Sequence, residues 1–222
     1  MAADMLMDDS YKSNMLKLLR SKNRNLADLF KDMAPDSSLE SIRTDSGSLT
    51  VRRNMGGGIY RYIHSMVDPE REARIWTDCQ FVQNGNTVIL GYGLGYHVLE
   101  FLKRYKNIKP VYLVEADESL FRLALEVSDL SKVMDIVNVH FLIGQDVDSV
   151  KQTLSDSLDN LFTYHVFLPA TSLYPEFYSS VIRILDDSLL KMRLTAGRNN
   201  DCGTDNLLAT GVEKLIDVIK DL

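Results

Sequence analysis

Apolar positions along the chain keep a helical period first, then a strand period, then an alternation of the two. Between residues 10 and 33, Tyr11, Met15, Leu18, Leu19, Leu26, Leu29, Phe30 and Met33 recur at helical spacing. Pro35 and Asp36-Ser-Ser38 end that helix. Residues 39–64 change period. Leu39–Arg43 and Leu49–Arg53 flank the turn signal Thr44-Asp-Ser-Gly47, and Ile59–His64 alternates apolar and polar after Gly56-Gly-Gly58. This pattern predicts a small antiparallel β-meander. The triple glycine lacks the lysine and the Ser/Thr of a phosphate-binding loop, so it reads as a turn. Asp68, Pro69, Glu70 and Glu72 then open a helix to about Phe81, with Ala73 and Trp76 turned inward.

After Asn84-Gly-Asn86, strands and helices alternate. Strands are predicted at Thr87–Leu90, Val111–Glu115, Val137–Ile143 and Tyr164–Leu168, the last closed by Pro169. Between them lie an amphipathic helix from Leu94 to Tyr105, a helix capped by Asp117, a helical turn at Ser131–Met134, and a helix capped by Asp146. Tyr174-Pro-Glu-Phe-Tyr178 opens a further helix with Phe177, Val181, Ile184 and Leu185 as its buried stripe. Leu189–Ala196 is a fifth strand or a continuation of that helix, and Gly197–Gly203 reads as a loop. The segment Thr204–Leu222 is amphipathic, with an apolar stripe suited to a second copy of the chain or a further domain. The order predicts an α/β fold: a Rossmann-like, methyltransferase-like doubly wound parallel sheet of at least four strands. The expected organisation is an N-terminal helix, β-meander and lead-in helix over 1–84, and a Rossmann-like nucleotide-binding domain over 85–222.

The chemistry of that domain centres on Thr87-Val-Ile-Leu-Gly-Tyr-Gly-Leu-Gly-Tyr-His97. Glycines at 91, 93 and 95 permit a tight strand-to-helix turn and close approach of a ligand. The helix that follows offers free N–H groups to an anion. Glu115 lies twenty residues after Gly95 and ends the next strand, where a carboxylate accepts from ribose hydroxyls. A dinucleotide fingerprint aligned on Gly91 and Gly93 places Tyr96 where glycine or alanine is needed, which disfavours NAD and FAD. The spacing suits S-adenosylmethionine better. Gly144-Gln145-Asp146 ends the third strand, where an amide or acid meets an adenine, although Asp146 serves equally as a helix cap. The candidate ligand-binding residues are therefore Gly91, Tyr92, Gly93, Gly95, Tyr96, Glu115, Gln145 and Asp146. On this reading Glu115 is a ligand group, and Glu115→Ala leaves the fold intact. The rival reading is a turn with no ligand, its pocket filled by Tyr92 or Tyr96.

Composition narrows the field further. A net charge of −6 without a basic cluster argues against nucleic acid. Two cysteines, Cys79 and Cys202, and four scattered histidines form neither a disulfide framework nor a metal-ligand pattern. No apolar run approaches the roughly 20 residues of a membrane span. The acidic N-terminus lacks a secretory n-region. A soluble protein of a reducing cytoplasm is expected.

Two stretches, Tyr62-Ile-His-Ser-Met-Val-Asp-Pro-Glu-Arg-Glu-Ala73 and Leu90-Gly-Tyr-Gly-Leu-Gly-Tyr-His97, together resemble the N-terminal domain of the motility accessory factor family. The resemblance extends through Val114-Glu115 and the Leu168–Tyr178 region, about residues 35–185. It implies a bacterial flagellin-glycosylation context with sialic-acid-like sugar donors. In that family the glycosyltransferase chemistry is attributed to a central domain after this one, and its Gly-Pro-Ser-Leu-type motif is not found here. The resemblance thus implies an accessory domain, standing alone or cut from a longer protein, binding a nucleotide or nucleotide sugar. The alternatives are an S-adenosylmethionine-dependent methyltransferase and a non-catalytic interaction module; if the chain is an enzyme, it is a transferase. The methyltransferase lacks the acid or Asn/Asp-Pro-Pro-aromatic motif after its fourth strand, which ends His165-Val-Phe-Leu-Pro-Ala170. His165 is a candidate base, but a lone histidine in an apolar strand reads first as core.

Overall fold

The computed structural model describes residues 2–82, 85–106, 110–135, 139–158 and 162–199. It divides into two compact units, Met1–Asp187 and Ser188–Leu222. The first unit contains both sheets.

The helix expected over 10–33 is two helices, α1 (Ala2–Arg20) and α2 (Arg24–Phe30). Ser21 causes the break. Its hydroxyl donates to Leu18 O and accepts from Asn23 N–H, offering the backbone local bonds that compete with the helix ladder. The two helices bury Leu18, Leu26 and Phe30 together.

Strands β1 (Leu39–Arg43), β2 (Leu49–Asn54) and β3 (Tyr60–Tyr62) form the expected antiparallel meander in the order β1-β2-β3. The residues Gly56, Gly57 and Gly58 all have positive φ and turn the chain between β2 and β3. Helix α3 (Pro69–Asp78) begins as predicted, with the Asp68 carboxylate accepting from Arg71 N–H. It ends three residues before Phe81, which is exposed.

The second sheet is parallel, with the order β6-β5-β4-β7. Its strands are β4 (Asn86–Leu90), β5 (Val111–Glu115), β6 (Val139–Ile143) and β7 (Phe162–Val166). Every residue of β4 and β5 is buried, which is why both read as continuous apolar runs and not as alternations. Helices α4 (Tyr96–Arg104), α5 (Glu118–Val127), α6 (Ser131–Met134) and α7 (Val147–Ser157) cover the sheet. Asp117 and Asp146 cap α5 and α7 by accepting from Leu120 and Ser149 N–H. Strand β7 stops two residues earlier than expected, because Leu168 enters the short helix α8 (Leu168–Thr171). Helix α9 (Pro175–Asn199) resolves the alternative at 189–196 in favour of helix, and it also takes in Gly197, which was expected in a loop. Residues 200–203 of that loop, Cys202 among them, the amphipathic segment 204–222, Asn84 and Val137 lie outside the described residues.

Because β5 and β6 lie on one side of β4 and β7 on the other, the topological switch point falls between β4 and β7. Ligands of doubly wound sheets bind outside the carboxyl ends of the strands at this point. No helix among the described residues is long and apolar enough to cross a membrane. No group of three or more His, Cys, Asp or Glu is placed to hold a metal among the described residues.

Candidate functional site

The glycine turn leaves β4 with Gly91, Gly93 and Gly95 all at positive φ. Gly91 is also crowded: a Cβ there would stand 3.0 Å from Ala170 Cβ and 3.1 Å from Phe167 O. Glu115 ends β5 and turns its carboxylate into this turn. Oε2 accepts from the N–H groups of Tyr92 at 2.7 Å and Gly93 at 3.2 Å. Oε1 accepts from Asp117 N–H and from the Tyr178 hydroxyl, both at 3.0 Å. The side chain is fully buried. Burial pushes its pKa up, against the pull of the three backbone N–H donors. The carboxylate expected to meet a ribose therefore spends its acceptor sites on the chain's own donors, with no face open to solvent.

Above Gly93, where a ligand would approach the turn, the space is filled. A Cβ on Gly93 would stand 2.7 Å from His64 Nε2 and 3.0 Å from Ile63 Cγ2. His64 Nε2 accepts the Leu94 N–H at 2.9 Å. That bond fixes the tautomer: Nδ1 carries the proton and donates to Glu72 Oε2 at 3.1 Å. The Thr50 hydroxyl holds the backbone by donating to His64 O and accepting from His64 N–H. Burial of the ring lowers its pKa, so it sits neutral. Glu72 and His64 have the arrangement of an acid–imidazole dyad, yet the lone pair that would take a proton from a substrate is committed to an amide.

The two tyrosines of the turn do different things. Tyr92 points into the core against Phe121 and Phe141, and its hydroxyl occupies the place a Gly95 Cβ would need. Tyr96 reaches the other way. Its ring meets His64 edge-on, and its hydroxyl donates to Leu49 O and accepts from Leu49 N–H. His97 stacks on Phe167 with ring centroids 3.9 Å apart and donates from Nε2 to Gly91 O.

The meander is bolted across the carboxyl ends of the parallel strands by two arginines as well. Arg53 pairs with Asp117 Oδ2 at 2.7 Å and with Asp36 at 3.2 Å, and it donates to the Tyr174 hydroxyl. Arg61 donates to Ser172 O. Gln145 and Asp146 follow β6, two strands away from β4, and Asp146 is exposed as a helix cap. His165 is a core residue: its Nδ1 meets Gln80 Oε1 at 2.9 Å, and burial lowers its pKa to about 4. Sequence reasoning grouped Gly91, Tyr92, Gly93, Gly95, Tyr96 and Glu115, and these residues lie at one turn, with Tyr92 directed into the core and Tyr96 toward Leu49. It missed His64, Arg53, Tyr174 and Tyr178, whose periodic signal is only that of strand and helix.

The family model described as the glycosyltransferase Maf N-terminal domain matches residues 59–193, more than half of the chain. The chain belongs to this family. The Maf match begins at the β2–β3 turn and takes in the glycine turn, Glu115 and Tyr178. A solved structure, the Maf glycosyltransferase from Magnetospirillum magneticum AMB-1, is 14% identical, with a TM-score of 0.49 over 80% of this chain and 35% of that one. The chain thus spans about a third of the length of that Maf protein. No curated protein matches it.

Proposed function

We propose that this chain is a non-catalytic accessory domain of a Maf-type, flagellin-glycosylating protein, in which the inherited nucleotide crevice is closed by the domain's own meander. The observation that carries this reading is the His64 imidazole seated on Gly93, with Glu115 saturated beneath it. A ligand at the turn would have to displace a buried, doubly bonded side chain. In the glycosylation context, the domain then contributes a rigid surface, and sugar transfer belongs to another part of the protein.

Isothermal titration with S-adenosylmethionine, nucleoside diphosphates and nucleotide sugars tests this. No binding heat is expected from wild type, and no methyl transfer to flagellin or small acceptors. Glu115-dependent binding of S-adenosylmethionine with turnover would overturn the reading and make the chain a methyltransferase. Binding of a nucleotide sugar at the turn would replace it with a nucleotide-sensing domain.

A further inference from the structure

A second concavity lies at the switch point, on the far side of His64 from the glycine turn. It measures about 700 Å³ and runs between α3 and the chain leaving β7. Pockets for small organic molecules fall in the range of roughly 300–1,000 Å³. Its walls are apolar and wet: Val67, Ile75 and Leu168 are 60%, 53% and 69% exposed. Trp76 and Phe167 form the inner wall, with the indole N–H fixed on Val166 O. Three large aliphatic side chains converging on one groove mark a binding surface more than a random scatter does.

The groove also has a polar end. Glu72 enters it half-buried, with Oε2 taken by His64 Nδ1 and Ser65 N–H. Its other oxygen, Oε1, has no hydrogen-bond partner among the described residues. Asp68 lines the same rim, and its carboxylate is engaged by Arg71 N–H and by the Arg74 guanidinium at 3.9 Å. Arg71 is the one cation of the lining, and its side chain is exposed. With Asp68 paired to Arg74, the carboxylate left to meet a ligand in the groove is that of Glu72.

We propose that this groove binds a small organic ammonium: an apolar body along Trp76, Ile75 and Leu168, with the ammonium donating to Glu72 Oε1. An apolar wall with one free carboxylate oxygen selects for that pairing, because a carboxylate-headed ligand of the same body would bring like charge to Glu72. The site is separate from the glycine turn and stands whether or not that turn takes a nucleotide.

The test uses three probes with one body and different heads: 4-phenylbutylamine, 4-phenylbutanol and 4-phenylbutyrate. Trp76 is the only tryptophan of the chain, so its fluorescence reports on the groove directly. Saturable change is expected with the amine, at an affinity about tenfold above that of the carboxylate. Glu72→Gln should erase the preference between heads while keeping the body bound. Leu168→Glu, at an exposed position that the fold tolerates, should weaken the alcohol and leave the circular dichroism unchanged. Absence of any saturable change in wild type overturns the proposal. So does equal binding of amine and carboxylate, or a preference that survives Glu72→Gln.

Discussion

His64 and Leu94 are joined by one bond, the Leu94 N–H donated to His64 Nε2 at 2.9 Å, across thirty residues of sequence. It ties the antiparallel sheet to the glycine turn of the parallel one. Truncating His64 to alanine strands that buried N–H, leaves Glu72 without its imidazole, and opens a cavity above Gly93. His64→Ala should cost about 2–4 kcal/mol, read as a lower urea midpoint with an unchanged m-value. A midpoint equal to wild type would show that the bond carries no weight.

Glu115 separates two readings of the turn. As a ligand group it would be dispensable for folding. As built, its removal leaves the N–H groups of Tyr92, Gly93 and Asp117 and the Tyr178 hydroxyl without an acceptor. Glu115→Ala should destabilise by on the order of 4 kcal/mol. A variant as stable as wild type in chemical denaturation would restore the ligand reading.

Gly93→Ala adds a Cβ 2.7 Å from His64 Nε2 at a φ of +56°. Two costs combine, a clash and a strained backbone, and they separate in a double-mutant cycle. In the His64→Ala background the clash with the ring is gone, and the 3.0 Å contact with Ile63 Cγ2 and about 1 kcal/mol of conformational cost remain. The two substitutions should therefore be less than additive; strict additivity would mean that the ring does not sit on Gly93.

Arg53 and Arg52 are neighbours with opposite consequences. Arg53 neutralises Asp117, which is 3% exposed, so Arg53→Met leaves a buried carboxylate unpaired and should cost about 3 kcal/mol. Arg52 pairs with Glu40 on the outer face of the meander, and Arg52→Ala should be close to neutral. Thermal denaturation of the two variants side by side checks the contrast.

All four histidines, His64, His97, His140 and His165, have pKa values below the ordinary 6.5, because burial penalises the charged ring. The unfolded chain takes up protons near pH 6.5 and the folded chain resists. Stability is thus complete above that pH and is lost as pH falls toward the folded values, about 4 for His165. The fully buried His64 and His97 each contribute a slope of up to about 1.4 kcal/mol per pH unit in that window. Glu115 and Asp117, whose carboxyls burial pushes up, oppose the trend at its acidic end. Denaturation midpoints at pH 7, 6 and 5 should fall steadily; a flat profile would contradict the buried, neutral histidines.

The sequence by itself determined the elements. Buried parallel strands are unbroken apolar runs, so β4 and β5 were legible within a residue of their ends. Asp68, Asp117 and Asp146 announced their helices because a cap bonds an amide only three residues away. Gly91, Gly93, Gly95 and Glu115 were legible as one cluster because a strand–turn–helix–strand unit fixes their proximity. The break at Ser21 was not legible, since hydrophobic spacing continues across it and only side-chain bonding to the backbone interrupts the helix. Whether the crevice stays open was decided by tertiary structure alone. Arg53 meets Tyr174 across 121 residues, Tyr178 meets Glu115 across 63, and His64 enters the turn from the segment that follows β3. Periodicity records which face of an element is apolar, but not which distant element will cover it. That choice was made by the packing of the meander over the carboxyl ends of the parallel strands, which seats His64 on Gly93 and on the Leu94 N–H.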